Sequence, residues 1–254
     1  MKTYPEVRYQ DINRQVIDGW VEDGWDWGKP ISSQEFSDAQ AGKWDVLLTP
    51  TVPVPHEWFG DLNGKKVLGL ASGGGQQMPI FSALGAECTV IDLSPRQIEL
   101  ERMVAKREGY QINAVEGDIT RRLPFEDSTF DIVFHPVSNC YIEEVDPVFA
   151  EAYRVLKPGG SFLAGLNNEI NYIVDNDEQR IVWSMPFNPL KNKDARESLQ
   201  RDNSGMQFSH NMTEQIGGQL KAGFKLVDLY EDTNGYGRLH ELNIKTYVVT
   251  KSVK

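Results

Sequence analysis

Cysteine and positive charge are both scarce in this chain. Its 254 residues include two cysteines, Cys88 and Cys140. Two thiols, one of them in a predicted core strand, provide neither a disulfide framework nor a zinc-ligand set. Of the four histidines, His56, His210 and His240 are too scattered to suggest a metal site, and no H-E-x-x-H spacing occurs. Lysine and arginine total 26 against 37 acidic residues, a formal net charge of −11. That balance weighs against a nucleic-acid partner, because phosphate binding rests on clustered cations, and the longest basic clusters are pairs such as Lys65-Lys66 and Arg121-Arg122. No apolar run approaches the roughly 20 residues of a membrane span. The opening MKTYPEVRYQD is polar and unlike a signal peptide. A cytoplasmic protein without a membrane partner is expected.

What is present is concentrated between Lys66 and Asp92. An apolar run, Val67 to Leu70, breaks into Ala71-Ser72-Gly73-Gly74-Gly75; a helical segment follows, and a second apolar run, Cys88 to Ile91, ends at Asp92. This reads as strand, glycine turn, helix, strand, acid. Glycines let backbone approach a ligand where a Cβ would collide. The N–H groups of the turn and the helix start point at whatever sits there. A carboxylate at the tip of the second strand can grip both hydroxyls of a ribose. The unit is built for a nucleoside-type ligand.

Residues 1–60 stand apart as a Trp-rich arm, holding five of the six tryptophans (Trp20, Trp25, Trp27, Trp44, Trp58) and the proline-dense stretch Thr49 to Pro55. Proline at that density disfavours helix and central strand, so short helices and an extended arm are expected. From residue 61 strands and helices alternate. Strands are expected at 66–70, 88–92, 112–116, 130–135 and 161–166, with helices at 76–84, from Ser94 to Gly109, and at 145–156. Ser94, Pro95 and Gln97 make a capping-box start for the second of these helices. Such units imply a parallel sheet with right-handed crossovers and helices on both faces. Residues 167–206 are long for a connection and are expected to form a lid over the substrate side. A helix at 213–222 precedes two final strands, 225–230 and 244–250, which suit an antiparallel pair.

Two ligands compete for the glycine turn. A dinucleotide site wants G-x-G-x-x-G; Gly73 and Gly75 fit, but the third place is Met78. The segments LPFEDSTFDIV (123–133), EAYRVLKPGG (151–160) and TEQIGGQLKAGFKLVDLY (213–230), in order and correctly spaced from the turn, resemble class I S-adenosylmethionine-dependent methyltransferases. The resemblance covers about residues 61–166 and 208–250. It implies a Rossmann-like, seven-stranded, mostly parallel α/β sheet whose last strand is antiparallel. It also implies S-adenosylmethionine as cofactor and S-adenosylhomocysteine as product; the Trp-rich arm and the 167–206 insertion over the same end of the sheet suggest a closed, aromatic-walled pocket for a small-molecule acceptor. The rivals are a non-catalytic binding protein that keeps the cofactor fold and a dinucleotide-dependent oxidoreductase.

The resemblance also assigns residues. The family's acid-x-Gly-x-Gly-x-Gly appears here as Gly69-Leu70-Ala71-Ser72-Gly73-Gly74-Gly75, so the acid that holds the cofactor's amino end is missing and backbone carbonyls near Ala71 or His135, or water, must substitute. Asp92 matches the ribose-binding acid and Leu93 flanks the adenine. Gly117-Asp118-Ile119 matches the motif whose acid accepts from the adenine amino group. Gln76 and Gln77 open the first helix within reach of the carboxylate or ribose. At the end of the fourth strand lie His135 and Tyr141. His135 is either a general base or a pocket former acting through its backbone; Tyr141 offers an aromatic face to a cationic sulfur. Trp20, Trp25, Trp27, Tyr172 and Trp183 are candidates for the acceptor wall, or else packing anchors.

Overall fold

The computed structural model describes residues 8–254, so the first part of the polar opening segment lies outside the described residues. Seven strands form one sheet in the order β3-β2-β1-β4-β5-β7-β6. They are β1 (Lys66–Leu70), β2 (Glu87–Asp92), β3 (Ile112–Glu116), β4 (Phe130–His135), β5 (Leu156–Asn167), β6 (Lys225–Asp232) and β7 (Tyr247–Val253). The pairs among β1–β5 are parallel, whereas β7 runs antiparallel to both β5 and β6. This is the α/β sheet that the alternation and the resemblance imply.

Period-two alternation sends neighbouring side chains to opposite faces. Val67 and Phe134 join one core with Phe59, Phe81 and Met78, while Leu68 and Val133 join another with Phe149, Phe162 and Phe224. The arm feeds the first core through Val46, Leu48, Val54 and Trp58. It holds α1 (Tyr9–Glu22) and α2 (Ser33–Gln40), the latter started by a complete capping box between Ser32 and Glu35. Its extended part crosses the end of the sheet at Gly165, where an added Cβ would lie 2.2 Å from the Leu48 carbonyl oxygen.

Between the strands run α3 (Gln77–Ala83), α4 (Pro95–Glu108) and α5 (Asp146–Val155). The 167–206 segment carries α6 (Ile170–Ile173) and α7 (Lys193–Arg201), and α8 (Met212–Ala222) and α9 (Gly237–Glu241) flank β6. Two strands start three or more residues away from the expected place. β5 begins at Leu156 because Leu156 pairs with Phe130 ahead of a bulge, and the Pro158-Gly159-Gly160 turn residues stay in the ladder by bonding Lys254. β7 begins at Tyr247 because Asn243 N and Ile244 N donate to the His240 and Leu239 carbonyls at the end of α9 instead of entering the ladder.

Candidate active site

The C-terminal ends of β1, β2 and β4 surround a crevice of two chambers. The smaller, about 110 Å³, lies toward β2 and β3; the larger, about 270 Å³, lies toward β4 and β5. Asp92, Gln97, Ala71, Trp25, Val137 and Tyr141 line both and so form the waist between them.

The glycine turn is shaped as much by α4 as by any ligand. A Cβ on Gly73 would lie 2.6 Å from Gln97 Cβ, and one on Gly75 would lie 2.8 Å from Val104 Cγ2. The missing side chains therefore let α4 press against the turn, a role the sequence reading did not assign to them. Ala71, Ser72, Gly73, Gln76 and Gln77 face the larger chamber, whereas Gly69 and Gly75 line neither. Ala71 takes a left-handed φ of 49°, at the place where the family pattern has glycine.

Gly69 has a different explanation. An added Cβ would lie 2.9 Å from Met78 Sδ and 3.2 Å from Ser72 Cβ, so Met78 fills the space an acid would need. Restoring the acid with Gly69→Asp is expected to lower stability by about 1–3 kcal/mol through overpacking rather than tighten cofactor binding. The double variant with Met78→Ala is expected to regain part of that loss, as read from the two melting temperatures.

Asp92 ends β2 with its side chain buried. Oδ2 accepts from Gly73 N at 3.0 Å and Oδ1 from Ser94 N at 2.9 Å. Burial raises its pKa above the ordinary carboxylate range, against the opposing pull of these backbone donors. A carboxylate has about four lone-pair sites, so capacity remains for two hydroxyl donors. Gln97 stands beside it, 6% exposed, with no partner for Oε1. The expected capping box is half made: Ser94 Oγ accepts from Gln97 N at 3.1 Å, but no return bond from the Gln97 side chain occurs among the described residues. That side chain is turned to the waist. A buried orphan acceptor is costly, and a ligand hydroxyl would satisfy it. Sequence reasoning saw Gln97 only as a cap.

Leu93, Gly117, Asp118 and Ile119 line the smaller chamber. The Asp118 carboxylate already binds Arg8 at 2.7 Å and Thr120 Oγ1 at 2.6 Å. Helix α1 closes this chamber with Gln10, Asn13 and Ile17. Asn13, 1% exposed, fastens the helix: Nδ2 donates to the carbonyls of Tyr141 and Met206, and Oδ1 accepts from Met206 N. These contacts span more than 120 positions, beyond the reach of local pattern. Asn13→Ala is expected to release α1 and to speed dissociation of S-adenosylhomocysteine, the product the resemblance implies, severalfold, measured by displacement with excess unlabelled ligand.

In the larger chamber Trp25, Trp27 and Tyr172 are wall residues. Trp20 and Trp183 line neither chamber: Trp20 packs on Trp25 and donates to Asn203 O, and Trp183 packs edge-on against Phe187. His135 does not reach either chamber. It is 0% exposed, with Nδ1 2.8 Å from Leu70 O and Nε2 2.9 Å from Asn139 Oδ1, and burial lowers its pKa. Both ring nitrogens are occupied, Nδ1 tying the end of β4 to β1 and Nε2 tying it to the following turn at Asn139, so no base is presented by His135. Tyr141 lines both chambers, and burial raises its pKa well above the usual phenol value. Cys140 is pushed up to about 12 by the same cause. Among the described residues no group of three or more His, Cys, Asp or Glu side chains could hold a metal ion, and no helix is long and apolar enough to cross a membrane.

Known proteins of similar sequence and shape agree in kind. Residues 68–164 match the model of the methyltransferase domain family. Over 249 residues the chain is 39% identical to a Bacillus subtilis (strain 168) protein named uncharacterized methyltransferase YbaJ, a match covering 95% of this chain and 97% of that one. Squalene methyltransferase 1 of Botryococcus braunii is 33% identical over 155 residues, 58% of this chain but 38% of its own length. Among solved structures, an S-adenosylmethionine-dependent methyltransferase from Mesorhizobium loti superposes with a TM-score of 0.63 at 16% identity, covering 78% of this chain and 94% of that one. The [4+2]-cyclase SpnF superposes with a TM-score of 0.60 at 15% identity, covering 100% and 99%. At such identities the two structures speak for the fold.

Proposed function

This chain belongs to the S-adenosylmethionine-dependent methyltransferase family, and from that membership we propose that it methylates a small molecule held in the larger chamber. The two-chambered crevice, with an acid and an orphan amide at its waist, is the observation that carries this reading. The residues present fit the cofactor. The smaller chamber takes the adenine between Leu93 and Ile119, with Asp118 or Thr120 at its polar edge. Asp92 and Gln97 take the ribose hydroxyls. Ala71, Ser72, Gln76 and Gln77 surround the amino-acid end, where backbone carbonyls near Ala71 replace the missing acid.

When bound, S-adenosylmethionine supplies a methyl group on a cationic sulfur. The chain's own part is then to aim an acceptor lone pair and to keep water out. Trp25, Trp27 and Leu48 wall the larger chamber against solvent, and Tyr141 places an aromatic surface where the chambers meet. The phenols and the thiol there hold their protons at neutral pH, and burial moves each of them further upward. Catalysis by position rather than by a strong base suits an acceptor that is nucleophilic without prior ionisation.

Calorimetric titration with S-adenosylhomocysteine and with NAD tests the cofactor assignment: the first should bind and the second should not. A screen of small molecules with labelled S-adenosylmethionine tests turnover. Cofactor binding without transfer to any acceptor would favour the non-catalytic alternative.

A further inference from the structure

One polar relay in the larger chamber involves none of the residues assigned above to the cofactor. Asn167, at the end of β5, donates from Nδ2 to Tyr172 Oη at 2.9 Å; Tyr172 Oη donates to Gln207 Oε1 at 3.1 Å; Gln207 Nε2 donates to the Ser204 carbonyl at 2.9 Å. The direction of this chain is forced from its far end. A carbonyl only accepts, so Gln207 must present its amide NH₂ to Ser204 and its oxygen to Tyr172. Tyr172 must then donate to Gln207 and accept from Asn167. Asn167 Oδ1 is thereby fixed as an acceptor, and it has no partner although the residue is 3% exposed and lines the larger chamber. A buried carbonyl oxygen held in this way calls for a ligand N–H or O–H.

The chamber's charge narrows the ligand further. None of its lining residues is Lys, Arg or His, and its one carboxylate is Asp92 at the waist. An anionic acceptor would be desolvated there with no cation among the lining residues to pair it.

We infer that the methyl acceptor is an uncharged molecule that donates an N–H or O–H to Asn167, with Tyr172 and Gln207 as positioning residues that fix the direction of that amide. The inference rests on the methyltransferase reading of the crevice and adds the class of acceptor.

The test uses full-length protein saturated with S-adenosylhomocysteine and three matched probe pairs: indole and benzofuran, phenol and anisole, 2-pyridone and N-methyl-2-pyridone. Binding is read by ligand-observed NMR, with indole-5-carboxylate as the anionic probe. At least one donor is expected to bind about tenfold tighter than its donor-free twin, and indole-5-carboxylate to bind more weakly than indole. In Tyr172→Phe the amide is free to turn, so the donor preference should collapse toward one. Asn167→Leu should abolish the preference with S-adenosylhomocysteine affinity unchanged. A merely structural role for the relay would weaken both members of a pair alike and leave their ratio intact. Equal binding within every pair, tight binding of the carboxylate, or failure of all three donors to bind loaded protein overturns the inference. Failure of S-adenosylhomocysteine itself to bind overturns the parent reading, and the inference with it.

Discussion

Asp92→Ala is expected to weaken S-adenosylhomocysteine binding by about 1–3 kcal/mol, the scale of hydrogen bonds to a charged group. It is also expected to lower stability, because Gly73 N and Ser94 N lose their acceptor inside the protein. Each stranded amide costs about 1–3 kcal/mol. The dissociation constant is therefore to be measured by calorimetry at a temperature where circular dichroism shows the variant folded. An unchanged constant would remove Asp92 from the ribose site. Because burial raises the Asp92 pKa, wild-type affinity is expected to fall on acidification at a pH above the ordinary carboxylate range, as protonation removes charge from the acceptor.

The second large effect concerns Glu101, a residue that lines neither chamber. It is 0% exposed on α4, accepts from Gly75 N at 2.8 Å through Oε1, and has no partner for Oε2. Burial pushes its pKa from 4.5 up to about 8, with the nearby Asp92 charge adding to the shift. Between those two values the native state keeps a proton that the unfolded chain releases. Stability accordingly falls as pH rises through that window, by up to about 1.4 kcal/mol per pH unit. Glu101→Gln keeps an acceptor for Gly75 N and carries no charge to bury. It is expected to match wild type near pH 4.5 and to exceed it by a few kcal/mol at pH 8.5, measured by urea denaturation. Parallel stability–pH curves for the two proteins would refute this account.

The sheet was legible in the sequence because its signals are local. Apolar runs bounded by glycine and proline gave the strands, and Ser94-Pro95 with Gly109 marked both ends of α4, where Gly109 adopts the left-handed φ of 78°. Candidate site residues in sequential motifs were equally accessible: Asp92, Leu93, Asp118 and Ile119 all come to the crevice. What sequence alone could not supply were roles set by distant partners. Asn13 depends on Met206, Glu101 on Gly75, and the Asn167 amide on Ser204 through two intermediaries. His135 illustrates the converse. Its residue type and its place at the end of a strand suggested a base, yet the carbonyl of Leu70 and the amide of Asn139 enclose it. The glycine turn drew attention for its openness to ligand, and in three dimensions it is open chiefly to a helix.

Ser94 connects three parts of the molecule at one point. Its Oγ accepts from Gln97 N and donates to Asp18 on α1, while its N–H donates to Asp92. The same hydroxyl that begins a helix thus latches the covering segment beside Asp92, the acid proposed to hold the sugar. Fraying of that helix end and escape of the spent product then become a single relaxation, so deuterium uptake at the Gln97 amide and product departure are expected to share one rate.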